Sequence, residues 1–497
     1  MSDIISAVHL LMQWQVVAAV LIGSIGGVII GAIPGIGPAV AIAILLPATF
    51  SLDPLVGLAL LLGIYGSSMY GGSLPAVLIN TPGTAVNALT TYDGYPMTQQ
   101  GQALRALGLA YGASFFSAIV SILALVLLSS VLAKVAPLFG SREIFLAALL
   151  GVILVITAHK GQVAAAGMMA GLGILLQSVG MEPVQYSMRF TFGQDWLIQG
   201  LDLIVVVLGL FAFSQAFLLM VEPEDKPTAK PIEGSMFRAI CEVFRYWRTA
   251  LTGSGYGVLM GIIPGVGEFT AQFLSYTTAR KRSKTPEMFG KGSPEGLVAS
   301  ESANNAVPAA AMIPLLALGI PGEALTAMML SVFYVHNVIP GPALFRDQLD
   351  FVYALYLALL VLNVIVIVFM LVSSNFLIKV IRIPTRYLGM MILLLSFVGV
   401  YSLRNSVIDC MLAAGFGVFG LILKRLNVPI VPLILGMVLG SIMEVKLRAA
   451  MGRVDGLADF VSRPISALLV IAIIWLVINA IRTGVRDMRL RAALAAE

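Results

Sequence analysis

Apolar residues fill long runs along almost the whole chain, and polar positions fall in short stretches between them. Clear runs occupy 105–133, 201–221, 351–378, 387–402, 406–423 and 464–481. A helix needs roughly 20 apolar residues to cross a hydrocarbon core of about 30 Å, so the pattern predicts an all-α polytopic membrane protein with about 10–12 membrane segments.

Helix-breaking residues interrupt these runs, and they do so twice in the same order. Gly23, Gly27, Gly31 and the tip Pro34-Gly35-Ile36-Gly37 return as Gly253, Gly257, Gly261 and Pro264-Gly265-Val266-Gly267, at a constant offset of 230. Each copy is followed by a second break: Asn80-Thr81-Pro82-Gly83-Thr84 in the first half, Gly319-Ile320-Pro321-Gly322-Glu323 in the second. Paired hydrophobic segments broken by Gly and Pro at matching places point to a transporter's substrate site. A polar stretch separates the halves. Glu222 to Pro227 is linker-like, and the residues around Phe237 to Leu251 are spaced as in an interfacial amphipathic helix. The expected organisation is a first membrane repeat over 13–221, a cytoplasmic linker over 222–250, a second repeat over 251–443 and an extra membrane helix at 464–481.

Charge orients the halves. The loop from Pro47 to Pro54 carries only Asp53, whereas its counterpart holds Arg280-Lys281-Arg282-Ser283-Lys284, with Lys291 beyond. Basic loops stay cytoplasmic, so equivalent loops lie on opposite faces and the repeats are inverted, with the N-terminus external and the C-terminus cytoplasmic. Threaded this way, about 21 of the 30 basic residues fall inside, with Glu444 to Arg463 as the main exception. Arg245, Arg248 and Arg280 bracket the first break of the second half on one face, and the roughly 29 residues between are too few for two full spans. A re-entrant hairpin with its tip at Pro264–Gly267 fits, and by the repeat another at Pro34–Gly37. One spanning helix broken at its middle is the rival arrangement.

Composition agrees: 59% of residues are apolar, 11% are charged and the mean hydropathy is +0.98. The net charge of +5 belongs to cytoplasmic loops rather than to a nucleic-acid surface. Cys241 and Cys410 are too few for a disulfide framework, and His9, His159 and His336 lack ligand spacing, so no metal site is read. The N-terminus lacks the basic region and cleavage site of a removable signal. There is no phosphate-binding loop and no aligned pair of catalytic groups, which argues against an enzyme or an ATP-driven pump.

What the breaks offer is bare backbone. Non-helical peptide groups at membrane depth persist only where protein buries them or a watery cavity bathes them. A half-helix starting after a Pro-Gly tip turns its N–H groups and positive dipole end toward that tip, which suits a carboxylate. Polar side chains gather beside the breaks: Ser67, Ser68, Tyr70, Ser73, Asn80, Thr81, Thr84 and Asn87, then Glu301, Ser302, Asn304, Asn305, Glu323 and Thr326. Any single hydroxyl is adequately explained by interhelical packing. Asn80-Thr81 and Asn304-Asn305 stand where they can contact substrate or ion. Glu268 replaces the first half's Pro38, and Glu323 replaces Thr84. An intramembrane carboxylate is a candidate proton or cation site, with helix N-capping as the plainer explanation. Glu301, close to the basic loop, can also be interfacial.

The segments Gly31 to Pro38, Tyr70 to Ser73, Asn80 to Ala85, Arg189 to Gly193, Glu301 to Ala306 and Gly319 to Gly322 together resemble the large membrane subunit of the tripartite tricarboxylate transporters, over about 13–481. The resemblance implies a bacterial inner-membrane secondary transporter without a cofactor. Its partners would be a small four-helix membrane subunit and a periplasmic solute-binding protein delivering a carboxylate such as citrate. Carried onto this chain, with the residues beside the breaks, the substrate and ion site comprises Pro34, Gly35, Gly37, Ser73, Asn80, Thr81, Pro82, Gly83, Thr84, Gly265, Gly267, Glu268, Ser302, Asn304, Asn305, Pro321, Gly322 and Glu323. A sodium ion or a proton would couple uptake by alternating access, with helices at 144–221 and 387–443 as scaffold. A channel-like or assembly subunit, or an intramembrane enzyme, are the alternatives. Arg189, Arg346 and Arg404 are candidates for docking the binding protein.

Overall fold

Helices account for nearly all of the chain in the computed structural model, which describes residues 2–159, 161–182, 186–221, 236–381, 385–452 and 456–494. The linker-like stretch Glu222 to Pro227 lies outside the described residues. The first half holds α1 (Ser2–Leu11), α2 (Trp14–Gly31), α3 (Pro38–Thr49), α4 (Pro54–Ile79), α5 (Thr90–Gln99), α6 (Ala103–Val135), α7 (Ser141–Ala158), α8 (Val163–Gln177), α9 (Leu203–Val207) and α10 (Ser214–Val221). A π-helical turn at Leu208–Phe213 fuses α9 and α10 into one rod. The second half holds α11 (Met236–Cys241), α12 (Trp247–Ile262), α13 (Gly267–Arg282), α14 (Pro294–Leu318), α15 (Ala324–Val335), α16 (Pro342–Asp347), α17 (Leu349–Ile381), α18 (Thr385–Arg404), α19 (Val407–Arg425), α20 (Val431–Met451) and α21 (Pro464–Leu494). One small hairpin pairs Gly180–Met181 with Met188–Arg189.

Eight helices among the described residues are long and apolar enough to cross a membrane: α2, α4, α6, α7, the α9–α10 rod, α17, α18 and α19. Shorter apolar helices are α3, α8, α15 and the start of α21. The protein is therefore an all-α, multi-pass membrane protein. α14 is not among the eight, yet every residue from Gly296 to Ala317 is buried, including Glu301, Asn304 and Asn305. Its polar groups face protein. This overturns an interfacial place for Glu301.

The repeated glycines are contact points. On α2, a methyl group at Gly23, Gly27 or Gly31 would come within 2.4, 2.1 and 2.2 Å of Leu60 O, Ser67 Oγ and Ser68 O of α4. On α12, methyls at Gly253, Gly257 and Gly261 would meet Ser302 Oγ, Ala303 O and Ala310 Cβ of α14 at 2.1, 2.5 and 2.7 Å. Without a hydrophobic drive between helices in lipid, such small-residue seams let backbones approach and gain dispersion contact. Both seams advance in the same order along the two helices, so α2 runs parallel to α4 and α12 parallel to α14. The helix between each such pair must then return. The first break of each half is thus the turn of a helical hairpin, not a kink in one rod; Tyr256 on α12 and Thr278 on α13 accordingly meet across the second hairpin at 3.0 Å.

The halves embrace each other reciprocally. α6 packs on α14 and α17 on α4; α1 lies on α17 and α11 on α6; α7 packs on α20 and α18 on α10. α4 and α14 run in opposite directions, because Ser73 meets Glu301 while Gly94 lies between Val77 and Leu297. α1, which apolar runs alone did not mark, thus matches α11.

One carboxylate fixes the end of this assembly. Asp93 Oδ1 accepts the backbone N–H groups of Gly290, Gly292 and Ser293 at 2.9, 3.0 and 2.7 Å, and Tyr276 donates its hydroxyl to Oδ2 at 2.8 Å. This ties α5 of the first half to the α13–α14 loop of the second. Asp93→Ala strands the buried N–H groups of Gly292 and Ser293, besides that of exposed Gly290, and is expected to lower stability by about 3 kcal/mol, whereas Tyr276→Phe costs about 1 kcal/mol. Thermal unfolding of the detergent-solubilised variants checks this order.

Candidate substrate and ion site

The two breaks of each half meet at their glycines. Gly35, held at φ +85°, donates its N–H to Gly83 O at 3.2 Å; Gly265, at φ +76°, donates to Gly322 O at 2.6 Å. Positive φ there favours glycine, and the peptide bond between breaks satisfies groups that neither helix can pair. The seam continues at Gly83, whose N–H reaches Gly72 O at 3.2 Å and whose Cβ would lie 2.0 Å from Gly31 O. Pro34, Gly35 and Gly37 form the first tip and Gly265 and Gly267 the second; Gly37 caps α3 and Gly267 opens α13.

The tips differ in what surrounds them. A Cβ on Gly35 would stand 3.3 Å from Gln215 Nε2, and Gln215 Oε1 accepts from Lys424 Nζ at 2.7 Å. Gly265 instead abuts Val155 of α7. Beside the second tip, buried Glu268 receives the Tyr65 hydroxyl at 3.4 Å. Its neighbour Gln272 donates Nε2 to Val86 O of the first half at 2.5 Å. Buried Glu323 caps α15, its N–H donating to Thr326 Oγ1 at 3.0 Å, while its Oε1 has no partner among the described residues. The second half's hairpin therefore reaches into the first half, at Tyr65 of α4 and at Val86, just past the first half's second break.

Glu301 sits in a hydroxyl cage. Ser73 donates to it at 3.1 Å and Ser114 at 3.2 Å, and Thr90 donates to its other oxygen. Asn305 Nδ2 donates to Ser114 Oγ at 2.7 Å, Asn87 Nδ2 to Ser73 Oγ at 3.3 Å, and Thr84 Oγ1 to Asn87 Oδ1 at 2.5 Å. Ser73, Thr84 and Asn305 thus belong to one buried network spanning α4, α5, α6 and α14. Asn304 is different: it is fully buried, and both its amide atoms lack partners among the described residues. Counting from the left-handed caps Asn80 and Gly319, Asn304 occupies the place of Tyr65 in the first half.

The remaining residues have local partners. Asn80 ends α4 in the left-handed conformation, and Thr81 bonds to Ile79 O at 3.3 Å; both are exposed. Ser302 returns its hydroxyl to Val298 O at 2.7 Å against the Gly253 seam. Pro82 is half-buried and Pro321 buried. Arg189, Arg346 and Arg404 are each matched by a carboxylate, Glu444, Asp347 and Asp202, at 2.7, 2.7 and 2.9 Å. The sequence reading did not single out Tyr65, Thr90, Ser114, Gln215, Gln272 or Lys424. Gln215 carried a usable signal, as an amide inside the apolar run 201–221.

Residues 17–435 match the family model described as the tripartite tricarboxylate transporter TctA family. A protein of Agrobacterium vitis described as "Uncharacterized 52.8 kDa protein in TAR-I ttuC' 3'region" is 34% identical over 470 residues, 94% of this chain and 93% of the relative. A second from the same organism, "Uncharacterized protein in TAR-II ttuC' 3'region", is 34% identical over 234 residues, 47% of this chain and 97% of that relative. No solved structure matches. A match over most of the chain, on the segments that build the paired breaks, settles the family: this chain belongs to the tripartite tricarboxylate transporter TctA family.

Proposed function

We propose that the chain is the large membrane subunit of a secondary transporter that imports a di- or tricarboxylate, citrate-like, together with a sodium ion or a proton. A periplasmic solute-binding protein delivers the anion, and a small four-helix subunit completes the assembly in the bacterial inner membrane. The observation that carries this reading is the unequal charge of two otherwise equivalent tips. Lys424, through Gln215, places a cation beside Gly35, where α3 begins without an acid of its own. Glu268 and Glu323 place carboxylates on either side of the Gly265–Gly322 bond. A carboxylate substrate is favoured at the first tip by the ammonium and the α3 dipole, and a small cation at the second by the acids. Asn304 stands buried on α14 with donor and acceptor both unspent among the described residues. Orphaned buried polar atoms cost about 1–3 kcal/mol each, which a bound oxygen-rich ligand or ion returns.

We read the two halves as inverted repeats, a view supported by the antiparallel course of α4 and α14 and by the reciprocal packing. With the basic Arg280–Lys291 loop in the cytoplasm, the N-terminus is external and the C-terminus internal. The hairpins and second breaks then move as one body against α7–α10 and α18–α20, alternately opening the tips to each side.

Two outcomes test this in proteoliposomes, and a third tests the Glu301 cage by stability. Gly35→Ala adds a methyl at a left-handed φ, and Lys424→Gln removes the cation; each is expected to cut carboxylate uptake at least about tenfold, a barrier change of about 1.4 kcal/mol. Normal uptake by both variants, with insertion intact, sinks the anion tip. Glu268→Gln is expected to abolish the dependence of uptake on the coupling gradient, measured with sodium and proton gradients imposed separately; unchanged coupling removes Glu268 from the ion path. Glu301→Ala strands the hydroxyls of Ser73, Thr90 and Ser114 and is expected to cost about 3 kcal/mol, against about 1 kcal/mol for Glu301→Gln, read by thermal unfolding.

A further inference from the structure

A cavity of about 700 Å³ opens between the ends of α7, α8 and α20 and the facing α14–α16 segment. Its volume falls within the roughly 300–1,000 Å³ of small-molecule sites. Among the described residues lining it, Lys446 is the one charged side chain, joined by Ser331, Tyr334, Ser441 and Gln177. No carboxylate lies within 4.0 Å of its ammonium among the described residues, and the acids next in sequence to the lining residues Met181 and Val445 are paired with arginines. Glu444 holds Arg189 at 2.7 Å and Arg448 at 3.3 Å, and Glu182 holds Arg448 at 3.4 Å. A half-buried cation in a cleft with apolar walls focuses a positive potential into it.

The cavity's place gives that potential a purpose. Its floor touches Leu318 and Gly319, where α14 ends and the second break begins. Three residues further on, Gly322 bonds the tip glycine Gly265. α14 starts beside the basic loop and its 25 residues rise about 1.5 Å each, so the cavity lies at the end of α14 remote from that loop.

We propose that this cavity is an outer vestibule in which a small di- or tricarboxylate pauses on Lys446 before entering the breaks. The assignment rests on the carboxylate-import reading for its biological direction, while the site itself is defined by anion capture alone. Ser331 and Ser441 supply hydroxyl donors to the carboxylate, and Tyr334 a phenolic one. An anionic lipid phosphate offers similar charge, and the test separates the two.

The experiment uses the full chain with Cys241→Ala, Cys410→Ala and Ser331→Cys, in nanodiscs of neutral lipid. Negatively and positively charged thiosulfonate reagents are compared for their rates at the new thiol. The anionic reagent is expected to react several-fold faster than the cationic one, citrate or succinate is expected to slow it, and Lys446→Gln is expected to bring the ratio close to one and remove the protection. In uptake, Lys446→Gln is expected to raise KM about tenfold with the maximal rate within twofold, and Lys446→Arg to restore it. A thiol that neither reagent reaches, or a ratio and protection indifferent to Lys446→Gln, overturns the vestibule. Protection by anionic lipid in the nanodisc, with none by citrate or succinate, also overturns it in favour of a headgroup site. Charge-selective labelling with citrate protection, in a wild type that takes up no carboxylate, leaves the vestibule standing and refutes the import reading instead.

Discussion

A peptide group stripped from its helix inside an apolar assembly must find another partner, and that requirement organises this molecule. Each half interrupts two helices, and each pair of interruptions settles its exposed backbone by bonding one break to the other, Gly35 to Gly83 and Gly265 to Gly322. For those bonds to form, the helices leading to them must run almost in backbone contact. The glycine stripes at 23, 27 and 31 and at 253, 257 and 261 permit that approach. The hairpin fold, the close seam and the location of the site are therefore consequences of one constraint on unpaired N–H and C=O groups.

The duplication preserved this backbone solution while letting the side chains diverge. Pro38 stands in the first turn of the helix after the first tip and Glu268 in that of the helix after the second; Thr84 bonds Asn87 in one half, whereas Glu323 caps a helix in the other. Tyr65 and Asn304 occupy matching places, one reaching a carboxylate and the other keeping both amide atoms unspent among the described residues. Identical halves would give two like electrostatic environments. Divergent halves give the two tips unlike surroundings, an amide joined to Lys424 at the first and the buried carboxylates of Glu268 and Glu323 near the second.

Much of this was readable from particular residues. Paired Pro-Gly tips inside apolar runs announce broken helices because no soluble or simple spanning helix tolerates them repeatedly. What escaped was any contact made by an unremarkable residue. Ser114 sits inside the apolar helix α6 and Thr90 at the start of the polar helix α5, and only folding brings both onto Glu301. Lys424 resembles any basic residue at a helix end until it is seen to hold Gln215, the amide beside Gly35.

Sequence by itself determined the class, the duplication and the positions of the interruptions, because hydropathy and helix-breaking are properties of short stretches. The tertiary structure decided that each first break is a hairpin turn and that the breaks close on each other. It also decided that Glu301 lies within a hydroxyl cage rather than at an interface. Those outcomes depend on which helix lies against which, and a buried charge or amide takes its meaning from neighbours that are distant along the chain.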